Sequence, residues 1–215
     1  MKIGIIGSGN VGRALGTGFA ETGHQVMLGT RDPGRKELKE WMARTGPRVA
    51  VGTLADAAEF GELLVIATRW SGTENAIKLA GLNNFAGKIV IDVTNPLVFH
   101  ENAPATLSPS GNDSAGEQVQ RWLPKSRVVK AFNIVGNAHM FRPTFPGGPP
   151  DMLIAGNDPK AKQEITRILK DFGWGEVVDM GGIEGARYLE PMCMVWMAYA
   201  NKTGSWGHAF KMLRK

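Results

Sequence analysis

Cysteine is almost missing from these 215 residues: Cys193 stands alone. A disulfide framework is therefore excluded, and a reducing, cytoplasmic setting is expected. Lying between Met192 and Met194 on an apolar stretch, Cys193 reads as core filler rather than a nucleophile. No run of 18 apolar residues occurs, so no membrane association is expected. Met1 leads straight into a strand pattern, so no signal peptide is expected either. H-E-x-x-H, C-x-x-C and G-x-S-x-G are all missing, and the four histidines show no ligand spacing, so neither a metal site nor a serine elbow is expected. The net charge is +5 and the pI is about 9.4. Yet no dense Lys/Arg tract interleaves with aromatics, which argues against nucleic acid and for a basic surface suited to small anions.

What is present is an alternation. Strand-length apolar runs occur at Met1–Ile6, Gln25–Gly29, Leu63–Thr68, Lys88–Val93 and Arg127–Phe132, with a short one at Arg48–Val51. Helix-period stretches fall between them at Val11–Thr22, Arg35–Arg44, Gly72–Leu82 and Ser114–Leu123. Short buried strands alternating with helices predict an α/β fold: a doubly wound, mostly parallel Rossmann sheet. Phe141–Pro150 holds four prolines and two glycines and reads as a loop. Beyond it come a strand at Asp151–Ala155, a helix over Pro159–Phe172 capped by Asp158, and a strand at Glu176–Met180. Gly185–Asn201 and Ser205–Leu213 read as one or two further helices. The expected organisation is a dinucleotide-binding part over residues 1–140, with residues 141–215 extending the sheet and adding a small helical cap in one compact unit.

The chemistry begins at Gly7-Ser8-Gly9-Asn10-Val11-Gly12, a G-x-G-x-x-G between the first strand and first helix. Gly7 serves the tight turn, Gly9 the close approach of a pyrophosphate, and Gly12 the packing of helix on strand. The helix N-terminus offers free N–H groups to phosphate, and Ser8 and Asn10 add side-chain donors. About twenty residues on, an acidic residue at the second strand's end would accept from a ribose 2′-hydroxyl and mark NAD. Here the strand ends Gly29-Thr30-Arg31-Asp32. Thr30 and Arg31 donate to a 2′-phosphate, Arg31 also stacks on adenine, and Arg35 and Lys36 add charge. NADP(H) is therefore expected over NAD, although Asp32 stands one place late for the acidic role.

The chain resembles the NADP oxidoreductases dependent on the deazaflavin coenzyme F420, with their wider family of NADPH-dependent flavin and ferric reductase domains. The resemblance rests on Gly7–Gly12, Gly23-His24, Gly29-Thr30-Arg31, Val65-Ile66-Ala67-Thr68-Arg69-Trp70, Lys130-Ala131-Phe132-Asn133 and Gly207-His208-Ala209-Phe210-Lys211. It implies that Ser8, Gly9, Asn10 and Val11 hold the pyrophosphate, with Thr30, Arg31 and Arg35 around the 2′-phosphate. It further implies nicotinamide contacts from Thr68, Arg69 and Trp70, from Asn95 and Pro96, and from Asn133 through Asn137, in a homodimer. Arg69 departs from the family, where proline is common.

Hydride exchange between two stacked rings needs face-to-face geometry and exclusion of water more than an acid–base pair. The second ring, coenzyme F420 or a flavin, would need a flat apolar wall. Met140, Trp206 and His208 are the candidates, with Phe141, Met194, Trp196 and Met197 behind them. The bond between Asn95 and Pro96 is either cis, fixing the loop, or an ordinary trans turn. Two other readings stay open: reduction of a small carbonyl or imine, in which Lys130 or Asn133 would matter, and a non-catalytic NADP(H) sensor.

Overall fold

The computed structural model describes all 215 residues. Ten strands and seven helices follow in this order: β1 (Lys2–Ile6), α1 (Asn10–Glu21), β2 (Gln25–Thr30), α2 (Lys36–Thr45), β3 (Val49–Thr53), α3 (Leu54–Phe60), β4 (Leu63–Ile66), α4 (Trp70–Ala80) and β5 (Ile89–Asp92). Then come β6 (Leu97–Val98), β7 (Thr106–Leu107), α5 (Ala115–Trp122), β8 (Arg127–Lys130), β9 (Met152–Gly156), α6 (Pro159–Asp171), β10 (Val177–Asp179) and α7 (Ala186–Thr203). Eight strands form one sheet in the order β10-β9-β8-β5-β4-β1-β2-β3, while β6 and β7 pair in a separate small hairpin. All ladders of the large sheet are parallel except β8 with β9. The fold is a Rossmann-like α/β sheet, and the strand order reverses between β1 and β4. Ligands of open α/β sheets bind at the carboxyl ends of the strands at such a reversal.

Both faces of the sheet are covered, so its strands are apolar at successive positions. Ile3, Ile5, Val65, Ile91 and Val129 face one layer, which includes Leu15 and Phe19 of α1 and Ile165, Ile168 and Leu169 of α6. Ile6, Leu64, Ile66, Val90 and Val128 face the other, which includes Ala57 of α3, Ala76 and Ile77 of α4 and Val119 of α5. Asp158 caps α6 as the sequence indicates, accepting from the Ala161 N–H at 2.7 Å.

Two features depart from the sequence reading, and a third decides a point it left open. Helix α3 was not foreseen, although Thr53 and Asp56 form a complete capping box at its start. It packs tightly on β1: a Cβ on Gly4 would stand 2.0 Å from the Ala57 carbonyl oxygen. Residues 205–213, expected to be helical, run without regular structure after α7 stops at Gly204, which takes the left-handed conformation. That tail is tied down instead. Phe210 accepts from the Asp151 N–H, Met212 N–H donates to Asp151 Oδ2 at 2.8 Å, and Arg214 pairs with Glu176 at 2.8 Å. Finally, Ser108–Pro109 is the one cis peptide, so Asn95–Pro96 is trans.

Candidate functional site

A cleft of about 1290 Å³ opens along the carboxyl ends of β1, β2 and β4. Gly7, Ser8, Gly9, Asn10 and Val11 form its floor, and Thr30, Arg31, Asp32 and Arg35 line one end. The glycines have separable roles. Gly7 has φ +124°, and a Cβ there would lie 2.4 Å from the Ala67 carbonyl oxygen. Gly12 does not line the cleft; its Cβ would strike the Gly7 oxygen at 2.1 Å. Gly9 is different: nothing lies within 4 Å of the position its Cβ would take. Helix α1 begins just there, with no side-chain cap and no acidic residue in its first turn. Its free N–H groups and positive dipole end thus face open space that a side chain would fill, which fits a pyrophosphate.

At the end of β2 the hydrogen bonds sort the donors. Ser8 Oγ donates to Thr30 Oγ1 at 3.0 Å, and Asp32 N–H donates to the same oxygen at 3.3 Å. The Thr30 hydroxyl accepts twice within the protein, so its own proton remains free to donate. Asp32 Oδ1 accepts from the Gly34 N–H at 3.0 Å, closing the turn into α2. One oxygen of its carboxylate is thus engaged in that turn, and the residue lines the cleft. Arg35 pairs with Glu37 and reaches Ser8 Oγ at 3.5 Å. Arg31 lines the cleft with no protein partner for its guanidinium. A phosphate dianion finds unsatisfied donors here.

The far wall comes from α4. Arg69 occupies its N-cap, and Ser71, Gly72, Asn75, Ala76 and Leu79 line the cleft along one helix face, joined by Leu54 of α3. Sequence reasoning missed this wall. Its signal was faint, because the helix pattern over Gly72–Leu82 does not say which face meets a ligand. Thr68 lines the cleft and shares a 2.8 Å hydrogen bond with Thr73. Trp70 does not line it. Its ring stacks on Trp122 of α5, with centroids 5.4 Å apart.

Asn95 and Pro96, which follow β5, and Asn133, which follows β8, do not line the cleft. Asn95 Nδ2 donates to the Asn133 carbonyl at 2.8 Å, and Asn133 Nδ2 donates to Asn95 Oδ1 at 2.9 Å and the Leu189 carbonyl at 3.0 Å. Asn133 is 3% exposed, and its Oδ1 has no partner. A buried orphan acceptor is costly and marks a place where a ligand donor fits. The preceding Phe132 is fully buried with φ +62°, a strained conformation for a residue with a side chain. Asn137 lines the cleft rim.

The candidates for a second-ring wall separate. Met140 is core: it is 2% exposed, and its carbonyl accepts from Trp174 Nε1. It presents no wall to the cleft. Trp206 and His208 come together against α7, with Trp196 5.0 Å from Trp206 and 5.2 Å from His208, and Tyr199 4.7 Å from His208. Trp196 also presses on Gly136, where a Cβ would meet its ring at 3.0 Å, so this aromatic cluster abuts the Gly136–Asn137 rim. His208 Nε2 faces the Trp196 carbonyl at 3.0 Å and so carries the proton, leaving Nδ1 an unpartnered acceptor.

Lys130, the sequence's candidate base, is wholly buried. It stands 2.9 Å from Asp92 Oδ2 and 2.8 Å from Glu190 Oε1. Burial alone would push its amine down, but the two carboxylates outweigh that and hold it above its ordinary value. An ammonium so held is no base. Removing one partner of such a buried pair costs about 3–5 kcal/mol.

The model of the family of F420-dependent NADP oxidoreductases matches residues 2–96. A crystal structure from Arthrobacter sp. FB24, assigned as an F420-dependent NADP reductase, is 38% identical, covers both chains completely and superposes with a TM-score of 0.95. The chain belongs to the F420-dependent NADP oxidoreductase family. The F420-dependent NADP reductase of Methanocaldococcus jannaschii is 28% identical, with 88% of each chain covered. Metalloreductase STEAP3 of Rattus norvegicus is 29% identical over 88% of this chain, but the chain spans only 36% of that protein's length. Membership of the family makes this an NADP-dependent oxidoreductase with NADP(H) as its cofactor. No helix is long and apolar enough to cross a membrane.

Proposed function

We propose that the enzyme transfers a hydride between NADP(H) and the ring of a deazaflavin, coenzyme F420, or of a flavin. NADPH supplies the hydride from its nicotinamide when bound. Ser8, Gly9, Asn10 and Val11 hold the pyrophosphate against the start of α1, and Thr30 and Arg31 hold the 2′-phosphate, with Arg35 kept near by Glu37. Leu54, Ala76 and Leu79 cover the adenine side. Thr68, Asn95, Asn133 and Asn137 surround the nicotinamide, whose carboxamide N–H suits the free Asn133 Oδ1. Residues 141–215 complete the acceptor side, where His208 and the half-exposed Trp206 offer aromatic surface to the second ring.

One observation carries the reading. The titratable side chains lining the cleft are Arg31, Arg35, Arg69 and Asp32, three cations to one carboxylate, and Asp32 Oδ1 is engaged in a turn. The cleft thus offers anion-binding groups, with the Trp196 cluster against Gly136 beside its rim, and ring-to-ring hydride transfer asks a protein for positioning rather than an acid–base pair. Lys130, the residue a carbonyl or imine reductase would need as acid or base, is locked in an ion cluster. The experiment mixes enzyme and NADPH with oxidised coenzyme F420, FMN or FAD in turn and follows absorbance. Stoichiometric NADPH oxidation with at least one acceptor is expected. Indifference to all three, with NADPH still bound, would leave a sensor.

A further inference from the structure

Beneath the turns that follow β5 and β8 lies a closed cluster of charge. Lys130 and Asp92 have no exposed surface, and Glu190 is 2% exposed. Besides the two carboxylates, Lys130 Nζ donates to the Thr94 carbonyl at 2.5 Å. Asp92 Oδ1 accepts from the Thr94 N–H at 3.0 Å and its hydroxyl at 2.7 Å. Glu190 accepts from the Ala115 and Gly116 N–H groups at the start of α5, each at 3.0 Å. Every oxygen is thus engaged, yet the charges do not cancel. One ammonium and two carboxylates leave a surplus of one negative charge, which the α5 N-terminus, equivalent to about half a positive charge, offsets in part. The cluster grips the turns above it directly. Thr94 precedes Asn95, and Leu189, next to Glu190, accepts from Asn133.

We infer that this buried negative surplus tunes the bound cofactor couple, favouring the oxidised nicotinamide and so the release of hydride from NADPH. The inference rests on the reading above that nicotinamide lies over these turns. Loss of hydride breaks the C4–H bond and sends both its electrons and the hydrogen to the acceptor ring, which is reduced. The nicotinamide ring passes from neutral to a charge of +1. The adenosine and phosphates are the same in both forms, so a fixed charge near the ring discriminates between them. Deep burial spares that charge from dielectric and salt screening. Asp92 and Glu190 are positioning residues with an electrostatic consequence; neither touches the reacting atoms.

The test measures Kd for NADP⁺ and for NADPH by titration of the whole chain. The wild type is expected to bind NADP⁺ the more tightly. Glu190→Gln and Asp92→Asn, checked for folding by thermal melt, are expected each to raise the Kd(NADP⁺)/Kd(NADPH) ratio about three- to tenfold. Tenfold corresponds to about 30 mV for a two-electron couple. A purely structural role would weaken both forms together and leave the ratio still. Glu21→Gln, which breaks the exposed pair with Arg142 at the end of α1, is the control and keeps the ratio. An unchanged ratio in either folded variant, or a wild type that prefers NADPH, overturns the inference. A chain that binds neither form overturns the proposed function instead.

Discussion

On the proposed function, a few atoms at the end of β2 decide which dinucleotide the cleft admits. Thr30 Oγ1 is used twice as an acceptor and keeps a proton to give. Asp32, which in another setting would read a ribose hydroxyl, spends Oδ1 on the Gly34 N–H. Arg31 is left with an unpaired guanidinium. A side chain elsewhere gives a check on the interior. Burial pushes the Cys193 thiol up to about 11. At pH 8 the thiol form therefore dominates by about a thousandfold, and the thiolate is the reactive form. A disulfide reagent should label the native protein only as fast as α7 opens and should label the unfolded chain at once. Fast native labelling would show that α7 is not packed as described. The position of Thr30 and Arg31 at the end of β2, lining the cleft, was legible in the sequence because a strand end stands at a fixed distance from a glycine loop. Asp32 was not, because its turn depends on Gly34 and on where α2 starts.

Elements were legible where pattern and length agreed. The parallel strands announced themselves as short β-branched runs, and Asp158-Pro159 marked the start of α6. Helix α3 escaped because seven residues are too few to display a period, while its Thr53/Asp56 box was the readable mark. The tail was misread for the opposite reason. Its apolar residues, Ala209 and Phe210, are spent on the core of the first layer, and Trp206 and His208 on α7, so packing replaced helix. The capping box has a measurable worth. Thr53→Ala should cost about 1 kcal/mol, a fall in Tm of about 2–4 °C for a chain of this size. Thr53→Ser should recover most of it. Because α3 carries Leu54 into the cleft, NADPH affinity should fall in Thr53→Ala more than in Thr53→Ser, as read by titration.

At the scale of the whole molecule, function follows from topology. Reversal of strand order between β1 and β4 opens a gap at their carboxyl ends, and the glycine loop fills its floor. Strands β5 and β8 then place Asn95 and Asn133 beyond the gap, above the Lys130 cluster. Beyond β8 the chain adds one antiparallel strand, β9, with α6, β10 and α7, and so brings the aromatic tail to the cleft rim. The sequence showed the sheet and its binding edge. It could not show the cluster's third member, because Glu190 lies 60 residues beyond Lys130 on a helix whose apolar stripe alone was visible.

The decisive measurement compares NADPH and NADH binding in the wild type and in Arg31→Ala. A charge-assisted contact to the 2′-phosphate contributes about 1.5–3 kcal/mol, so NADPH affinity should fall about ten- to a hundredfold while NADH affinity stays within about twofold. Equal losses for the two cofactors would contradict a 2′-phosphate site at Thr30 and Arg31, and with it the placement of NADP(H) along this cleft.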